Sequence, residues 1–316
     1  MKMILRSMLY FPANSVRMAV KAATLPMDAV ILDLEDAVSM DDKETARILA
    51  RDFIRLIKRR GINTFVRANS IDTGLTIEDL NCTVPEGLDG VMLPKTETGS
   101  DVAKLGEMLS IVEKHSGIKH QSTKLIPLIE SAKGLVNAFQ IASASNRVVA
   151  VAFGAGDYSR DLGRDISLVS KHEIELLYAR SHIVNTSRAA GVQPIDTPFL
   201  GSLTDKEAFL REVKLAAQLG FKGKQCIHPS QIEPINNMFS PSQEEVNRAR
   251  KIVEAFEEAQ SRGLGVISFD GRMVDHMTYS HARDVVATAC TIEERTKVIM
   301  HKASYVSVSE VFSPRG

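Results

Sequence analysis

Leu125-Ile126-Pro127-Leu128-Ile129, closed by Glu130, and Val148-Val149-Ala150-Val151-Ala152, followed across Phe153-Gly154-Ala155-Gly156 by Asp157, decide how this chain folds. Each run is short, apolar, rich in β-branched types and bounded by polar residues. That is the pattern of a strand buried on both faces of a parallel sheet. Between them Ala132 to Ala142 is long enough for one helix. A strand–helix–strand unit brings both strand C-termini to one edge, so Glu130 and Asp157 converge there. One or two carboxylates at such an edge, with room for water and substrate oxygens, suit Mg²⁺. On spacing alone the same two acids would serve equally well as helix N-caps or surface acids.

Outward from this unit the alternation continues. Ser7 to Phe11 is a first strand, closed by Pro12, and Ser15 is placed to cap the helix after it. Arg17 falls in that helix's first turn, where a cation opposes the macrodipole and either binds an anion or stays solvated. Ala29 to Leu34 is a second strand, followed by Glu35-Asp36. Asp41 or Asp42 caps a helix to Arg59 with Ile48, Phe53, Ile54 and Ile57 as its buried stripe. Thr64 to Val66 ends at Arg67, and Gly90 to Leu93 ends at Pro94-Lys95, before a helix from Asp101 to His115. Tyr158 to Lys171, with Arg160, Asp161, Arg164 and Asp165, reads as a solvated charged loop before a helix from Lys171 to Ala190. Gln193 to Asp196 is a seventh strand. Thr204 with Glu207 is a capping box for a helix to Leu219. Gly223 to Ile227 is the eighth strand, ending in His228-Pro229. Eight strands, nearly all followed by helices, favour a (β/α)₈ TIM barrel over a doubly wound sheet. No G-x-G-x-x-G follows the first strand, so a dinucleotide site is not expected. In a barrel the chemistry sits at the strand C-termini. Asp33, Glu35, Asp36, Arg67, Lys95, Glu130, Asp157 and His228 all fall there, which argues for a catalytic mouth.

Residues 1–239 are therefore expected to form the barrel and 240–316 a separate helical and hairpin lid. Ser240-Pro241-Ser242-Gln243 starts a helix to Arg262, with Pro at the first helical position. Asp270-Gly271 turns a hairpin. Two short helices follow, Tyr279 to Cys290 and Ile292 to Lys302, and a loose tail begins at Tyr305. The composition is that of an ordinary globular chain: 44% apolar and 25% charged over 316 residues. Thirty-nine basic residues balance 39 acidic ones, which argues against nucleic acid or an anionic membrane as the main partner. Three scattered cysteines, Cys82, Cys226 and Cys290, match neither zinc spacing nor a disulfide framework. With too few residues before the first strand for a signal peptide, a cytoplasmic location is expected.

These motifs, in this order, resemble the citrate lyase β-subunit-like branch of the HpcH/HpaI aldolase superfamily. The matching segments are Phe11-Pro12 with Arg17, Leu32-Asp33-Leu34-Glu35-Asp36-Ala37-Val38, Arg67-Ala68-Asn69, Leu93-Pro94-Lys95, Pro127-Leu128-Ile129-Glu130-Ser131, Phe153-Gly154-Ala155-Gly156-Asp157, Ile227-His228-Pro229 and Asp270-Gly271-Arg272-Met273-Val274-Asp275. One departure is Gly156, where the family commonly has an acid before the metal-binding aspartate. The resemblance implies a Mg²⁺-dependent lyase that cleaves a 3-hydroxy-acyl-CoA to acetyl-CoA and a 2-oxo acid. It implies Glu130 and Asp157 as metal ligands, Glu35 and Asp36 behind them orienting waters, and Arg67 on the thioester or enolate oxygen. Arg17 would take a substrate carboxylate, and Pro94, Lys95 and His228 would line the path of pantetheine or diphosphate. Citramalyl-CoA, giving pyruvate, is the preferred substrate. The alternatives are citryl-CoA in a citrate lyase complex, malyl-CoA, a non-catalytic CoA-thioester-binding protein and an aldolase without CoA. The cation lowers the basicity of its own ligands, so the proton-moving base is expected elsewhere. Asp275, on a glycine-flanked segment outside the barrel, is the candidate. It would act in a neighbouring subunit of a homo-oligomer, a trimer or hexamer.

Overall fold

The computed structural model describes residues 3–165, 170 and 172–303. Its eight parallel strands close into a barrel in chain order: β1 (Ser7–Pro12), β2 (Ala29–Asp33), β3 (Asn63–Arg67), β4 (Gly90–Leu93), β5 (Lys124–Ile129), β6 (Ala150–Phe153), β7 (Gln193–Asp196) and β8 (Gly223–Cys226), with β8 pairing back to β1. The barrel helices are α1 (Val16–Ala22), α2 (Lys43–Arg59), α3 (Thr76–Thr83), α4 (Gly99–His115), α5 (Ala132–Val136), α6 (Ala138–Ser143), α7 (Ala155–Asp161), α8 (Ile174–Ala189), α9 (Lys206–Leu219) and α10 (Ile232–Met238). The expected (β/α)₈ barrel is thus what forms. Inward residues Met8, Ile31, Phe65, Met92, Ile126, Leu128, Ala152 and Ile195 fill its interior, and a larger core lies between strands and helices. No described helix is long and apolar enough to cross a membrane.

Several boundaries differ from expectation for local reasons. The helix expected over Ala132–Ala142 divides at Asn137, whose side-chain amide donates to the Glu97 carbonyl at 2.9 Å. On α2, Phe53, Ile54 and Ile57 are buried, but Ile48 is 46% exposed. It lies two residues, about 200° of turn, from buried Ala46 and Ala50. Asp205, not Thr204, caps α9, accepting from Ala208 N–H at 2.9 Å, while Thr204 pairs with Ser202. The loop expected over Phe153–Gly156 is already helical from Ala155, which puts Asp157 in the first turn of α7. Lys171 and the tail from Tyr305 lie outside the described residues.

Beyond the barrel come α11 (Gln243–Ser261), the antiparallel pair β9 (Ile267–Phe269) and β10 (Arg272–Val274), and α12 (His276–Ala303). The α11 capping box sits two residues later than expected, between Ser242 and Glu245, leaving Pro241 ahead of the cap. Asp270 and Gly271 both have positive φ, 52° and 71°, as a type I′ hairpin turn requires. The two short helices expected after it are one. Nothing from His276 to Ala303 breaks a helix, and the Thr291 hydroxyl bonds back to the Ala287 carbonyl at 2.8 Å. α11, the hairpin and α12 share a small core in which Phe256 stacks on Tyr279 with ring centroids 4.7 Å apart. This extension is tied to the base of the barrel, the end where strands begin. Arg6, just before β1, donates to Ser240 Oγ at 2.7 Å, and Arg295 of α12 donates to the carbonyl of Asp28, just before β2.

Candidate active site

Register explains the first pair. β2 and β3 align Asp33 with Arg67, and both residues end their strands. Arg67 Nε donates to Asp33 Oδ1 at 2.7 Å and Nη2 to Oδ2 at 2.6 Å, a two-pronged contact that fixes the plane of the guanidinium. Its Nη1 lies 3.2 Å from Glu35 Oε2, and the group sits over the Tyr10 ring, 5.3 Å from the centroid. Asp33 also accepts from the N–H groups of Glu35 and Ala37, so it shapes the turn that carries Glu35. Lys43, buried on α2, donates to the carbonyls of Leu34 and Glu35 and holds that turn from outside.

Glu130 follows β5 and is buried. Lys95, after β4 with φ of 51°, donates its backbone N–H to Glu130 Oε2 at 2.8 Å, and its Nζ reaches Glu35 Oε1 at 2.7 Å. Burial pushes the Glu130 carboxyl up to about 7, and the Glu35 charge adds to this, against the Lys95 N–H and the nearby Arg67 and Lys95 cations. Burial also raises Glu35, whose two oxygens are enclosed without a hydrogen bond of good geometry. Gly154 makes the neighbouring wall. A Cβ there would lie 2.6 Å from Glu130 Cγ and 2.7 Å from Oε1, so the backbone passes where no side chain fits.

Glu130 and Asp157 line two adjoining cavities. One, about 420 Å³, adds Arg160, Arg164 and Asp165 with Thr197, Leu200 and Gln225. The other, about 450 Å³, adds Pro94, Lys95, Ser131 and Lys133. Among the described residues no three His, Cys, Asp or Glu side chains converge to hold an ion by themselves. Two carboxylates, one of them buried and short of counter-charge, fit a Mg²⁺ that takes its remaining ligands from water and substrate.

Of the residues expected at the site, Glu35, Asp36, Arg67, Pro94, Lys95, Glu130 and Asp157 gather around these cavities. Three do not. Arg17 is exposed on α1 and makes no ion pair or hydrogen bond with a described residue. His228 caps the turn at Pro229–Gln231, its Nδ1 accepting from Ser230 N–H at 3.2 Å. Asp275 lines neither cavity. It accepts from the N–H and hydroxyl of Thr278 at the start of α12, and these bonds hold its carboxyl below the usual range. Sequence reasoning set Asp33 at the mouth without a part of its own, its signal being its register with Arg67, and gave no role to Gln225, a polar residue in a buried strand. It left Arg160 and Arg164 to solvent because nothing local shows that the last turn of α7 and the residues after it line the cavity.

The model of the HpcH/HpaI aldolase/citrate lyase family matches residues 6–229. The chain is 39% identical over 284 residues to citrate lyase subunit beta of Haemophilus influenzae, covering 90% of this chain and 96% of that protein. It is 32% identical to the mitochondrial citramalyl-CoA lyase of Homo sapiens, covering 92% and 87%. Among solved structures, CitE of Mycobacterium tuberculosis in complex with magnesium, acetoacetate and coenzyme A superposes with a TM-score of 0.70 at 30% identity, covering 90% of this chain and 98% of that one. With both the barrel motifs and nearly the full length in common, this chain belongs to the HpcH/HpaI aldolase/citrate lyase family.

Proposed function

We propose that this protein is a Mg²⁺-dependent carbon–carbon lyase that splits a 3-hydroxy-acyl-CoA into acetyl-CoA and a 2-oxo acid. The observation that carries this is the sharing of Glu130 and Asp157 by two cavities beside an anchored Arg67. The relatives named above are lyases, and the Mycobacterium tuberculosis protein holds magnesium and coenzyme A together. When bound, Mg²⁺ supplies Lewis-acid stabilisation of charge on the oxygens of the acid fragment.

Glu130 and Asp157 would hold the cation, with Glu35 and Asp36 orienting its waters. Asp33 takes two of the five guanidinium N–H groups of Arg67. The remaining donors, of which Nη1 lies 3.2 Å from Glu35 Oε2, would meet the thioester oxygen as the electron pair of the breaking bond moves onto the acetyl fragment. A preorganised donor of this kind is worth about 2.7–4 kcal/mol. The hydroxyl of the substrate would pass its proton to solvent water, and the acetyl carbon would take one from the acid form of Asp275 of a neighbouring subunit, which water then reprotonates. Pro94 and Lys95, which line the larger cavity, would serve the pantetheine or diphosphate path, and His228 and Arg17, which line neither cavity, would meet the diphosphate and a carboxylate only where the substrate extends beyond them. A non-catalytic scaffold would have no use for Glu130, Asp157 and Arg67 in one place.

Citramalyl-CoA, releasing pyruvate, is the substrate that the stand-alone catalytic set favours. Citryl thioester, releasing oxaloacetate, is the second reading, because relatives such as citrate lyase subunit beta of Haemophilus influenzae and of Leuconostoc mesenteroides are 38–39% identical, while those named for citramalyl-CoA lyase are 31–32% and a citrate lyase subunit beta-like protein is 33%. The test incubates protein, Mg²⁺ and acetyl-CoA in deuterated water with pyruvate, oxaloacetate or glyoxylate. Deuterium in the acetyl methyl, or a condensation product, is expected with at least one acid. Neither, with all three acids and Mg²⁺ bound, would overturn the proposal.

A further inference from the structure

Gly154 makes room for Glu130, and in doing so leaves α7 without a cap of its own. The first N–H groups of a helix have no partner within it, and a Ser, Thr, Asn or Asp at the N-cap ordinarily accepts from one. Gly154 is the N-cap of α7 and has no side chain to do so, since a Cβ there would lie 2.6 Å from Glu130 Cγ. We infer that Thr197, with Gln225 beside it, is the positioning residue that supplies this cap from the next strand and so holds Asp157 in place at the mouth. The inference deepens the lyase reading and rests on its assignment of Asp157 to the cation.

Thr197 follows β7 directly and is buried. Its hydroxyl oxygen accepts from the N–H of Ala155, the first residue of α7, at 3.1 Å. Asp157 lies two residues further on, in that same first turn. Thr197 is itself held from behind. Lys224, fully buried, donates through Nζ to the Thr197 carbonyl and to Asp196 Oδ2, each at 2.7 Å. Arg180 Nε donates to the other Asp196 oxygen at 2.9 Å. Buried ion pairs of this kind are weak sources of stability; here they fix where the Thr197 carbonyl lies. Gln225 closes the same seam from inside the barrel. The β6–β7 register runs from Ala150 opposite Gln193 to Ala152 opposite Ile195, so Phe153 and Asp196 lie one residue beyond it. The Gln225 amide donates to both of their carbonyls, at 2.8 and 3.0 Å, and its oxygen accepts from the Tyr10 hydroxyl at 2.9 Å. Both N–H groups and the oxygen of this buried amide are therefore used, and a satisfied polar group of this kind specifies one arrangement. Phe153 precedes Gly154 and Asp196 precedes Thr197, so the amide secures both sides of the Thr197–Ala155 contact. Neither residue brings charge to the mouth. Each acts through the backbone that carries Asp157.

The experiment compares wild type with Thr197→Val, which keeps the shape and removes the acceptor, and with Thr197→Ser, which keeps the acceptor and removes the methyl. Two quantities are read. In the metal-free protein, amide hydrogen exchange at Ala155 is expected to quicken at least about fivefold in Thr197→Val, as the loss of one hydrogen bond implies. Calorimetric titration with Mg²⁺ is expected to show affinity reduced about tenfold in the same variant. Thr197→Ser should stay near wild type in both. A Thr197→Ser as impaired as Thr197→Val would make the methyl group and its packing the cause, and overturns the inference. Wild-type Mg²⁺ affinity in a folded Thr197→Val, with wild type binding the ion, overturns the inference alone and leaves the lyase reading standing. If Thr197→Val does not fold, Gln225→Met decides, because it releases the same seam from the barrel side; Mg²⁺ affinity should fall there too, and unchanged affinity overturns the inference. A wild-type protein that binds no Mg²⁺ overturns the metal reading and this inference with it.

Discussion

Gly154 leaves no space for a side chain beside Glu130, and that makes it the most sensitive single position at the mouth. A methyl group there meets Glu130 Cγ and Oε1 inside contact distance. Gly154→Ala is therefore expected to displace the carboxylate and weaken Mg²⁺ binding at least about tenfold, at an overpacking cost of about 1–3 kcal/mol in stability. Titration with Mg²⁺ and a thermal melt check both; unchanged affinity would mean that Glu130 does not hold the ion. Glu130→Gln and Asp157→Asn should each abolish Mg²⁺ binding and turnover while the barrel stays folded by circular dichroism. Near-normal activity after EDTA treatment would exclude the metal reading. Arg67→Lys should lose at least about 100-fold in kcat, because an ammonium cannot hold Asp33 with two prongs and still face the thioester. A kcat near wild type would leave Arg67 a structural partner of Asp33. At this scale the sequence displays acids and an arginine at strand ends, and most of them gather. It does not display that Asp33 takes up two of the five guanidinium N–H groups of Arg67, or that Arg160 lines the cavity. Those depend on strand register and on where α7 begins, which no short motif encodes.

Elements were more legible than their ends. Runs such as Ala29–Asp33 and Gly90–Leu93 read directly as strands because both faces are buried and the residues are mostly apolar or β-branched, whereas Gln193–Asp196, with one apolar residue beside a proline, reads as a strand only weakly. Helix breaks were less legible, since Asn137 divides α5 from α6 through a bond to distant Glu97, while Thr291 fails to divide α12. One elemental joint makes a pH prediction. Glu113 of α4 takes two bonds from Arg147 at 2.9 and 2.7 Å and two more from Thr123 and Gln121 N–H. Burial alone would raise its carboxyl; Arg147 and the two N–H groups outweigh burial and hold it at about 2, against 4.5 ordinarily. The folded value lies below the unfolded one, so this stabilisation is fully present above pH 4.5 and lost as pH falls toward 2. It amounts to about 3 kcal/mol. Urea midpoints of wild type and Glu113→Gln, compared from pH 7 to pH 2, should differ at neutral pH and converge in acid. A constant difference across that range would mean that the joint does not titrate.

The whole molecule separates its two ends, and this bears on the base. The mouth lies where strands finish, at Asp33, Arg67 and Glu130. The extension is tied where strands begin, through Ser240 to Arg6 and through Arg295 to Asp28. From Arg295 back to Asp275 is about 30 Å of helix at 1.5 Å per residue, and α12 spends the far part of that length packed on α11 and the hairpin. Asp275 thus stands on an arm anchored at the base of its own barrel, bonded to Thr278 and lining neither cavity. Met273 and Met277 flank it, 71% and 81% exposed, as apolar contacts for another surface. A homo-oligomer, trimeric or hexameric, in which this arm enters the mouth of a neighbouring subunit, would bring Asp275 to the acetyl carbon and free it from the Thr278 bonds that hold its carboxyl low. Complementation tests this. Asp275→Asn and Glu130→Gln are each expected to be inactive alone. Mixed under subunit exchange, they should regain a fraction of wild-type activity, because some interfaces then pair an intact Asp275 with an intact Glu130. Exchange confirmed by mass with no recovery would place the base within its own chain or on another residue, and a monomer by light scattering at assay concentration would exclude the arrangement outright.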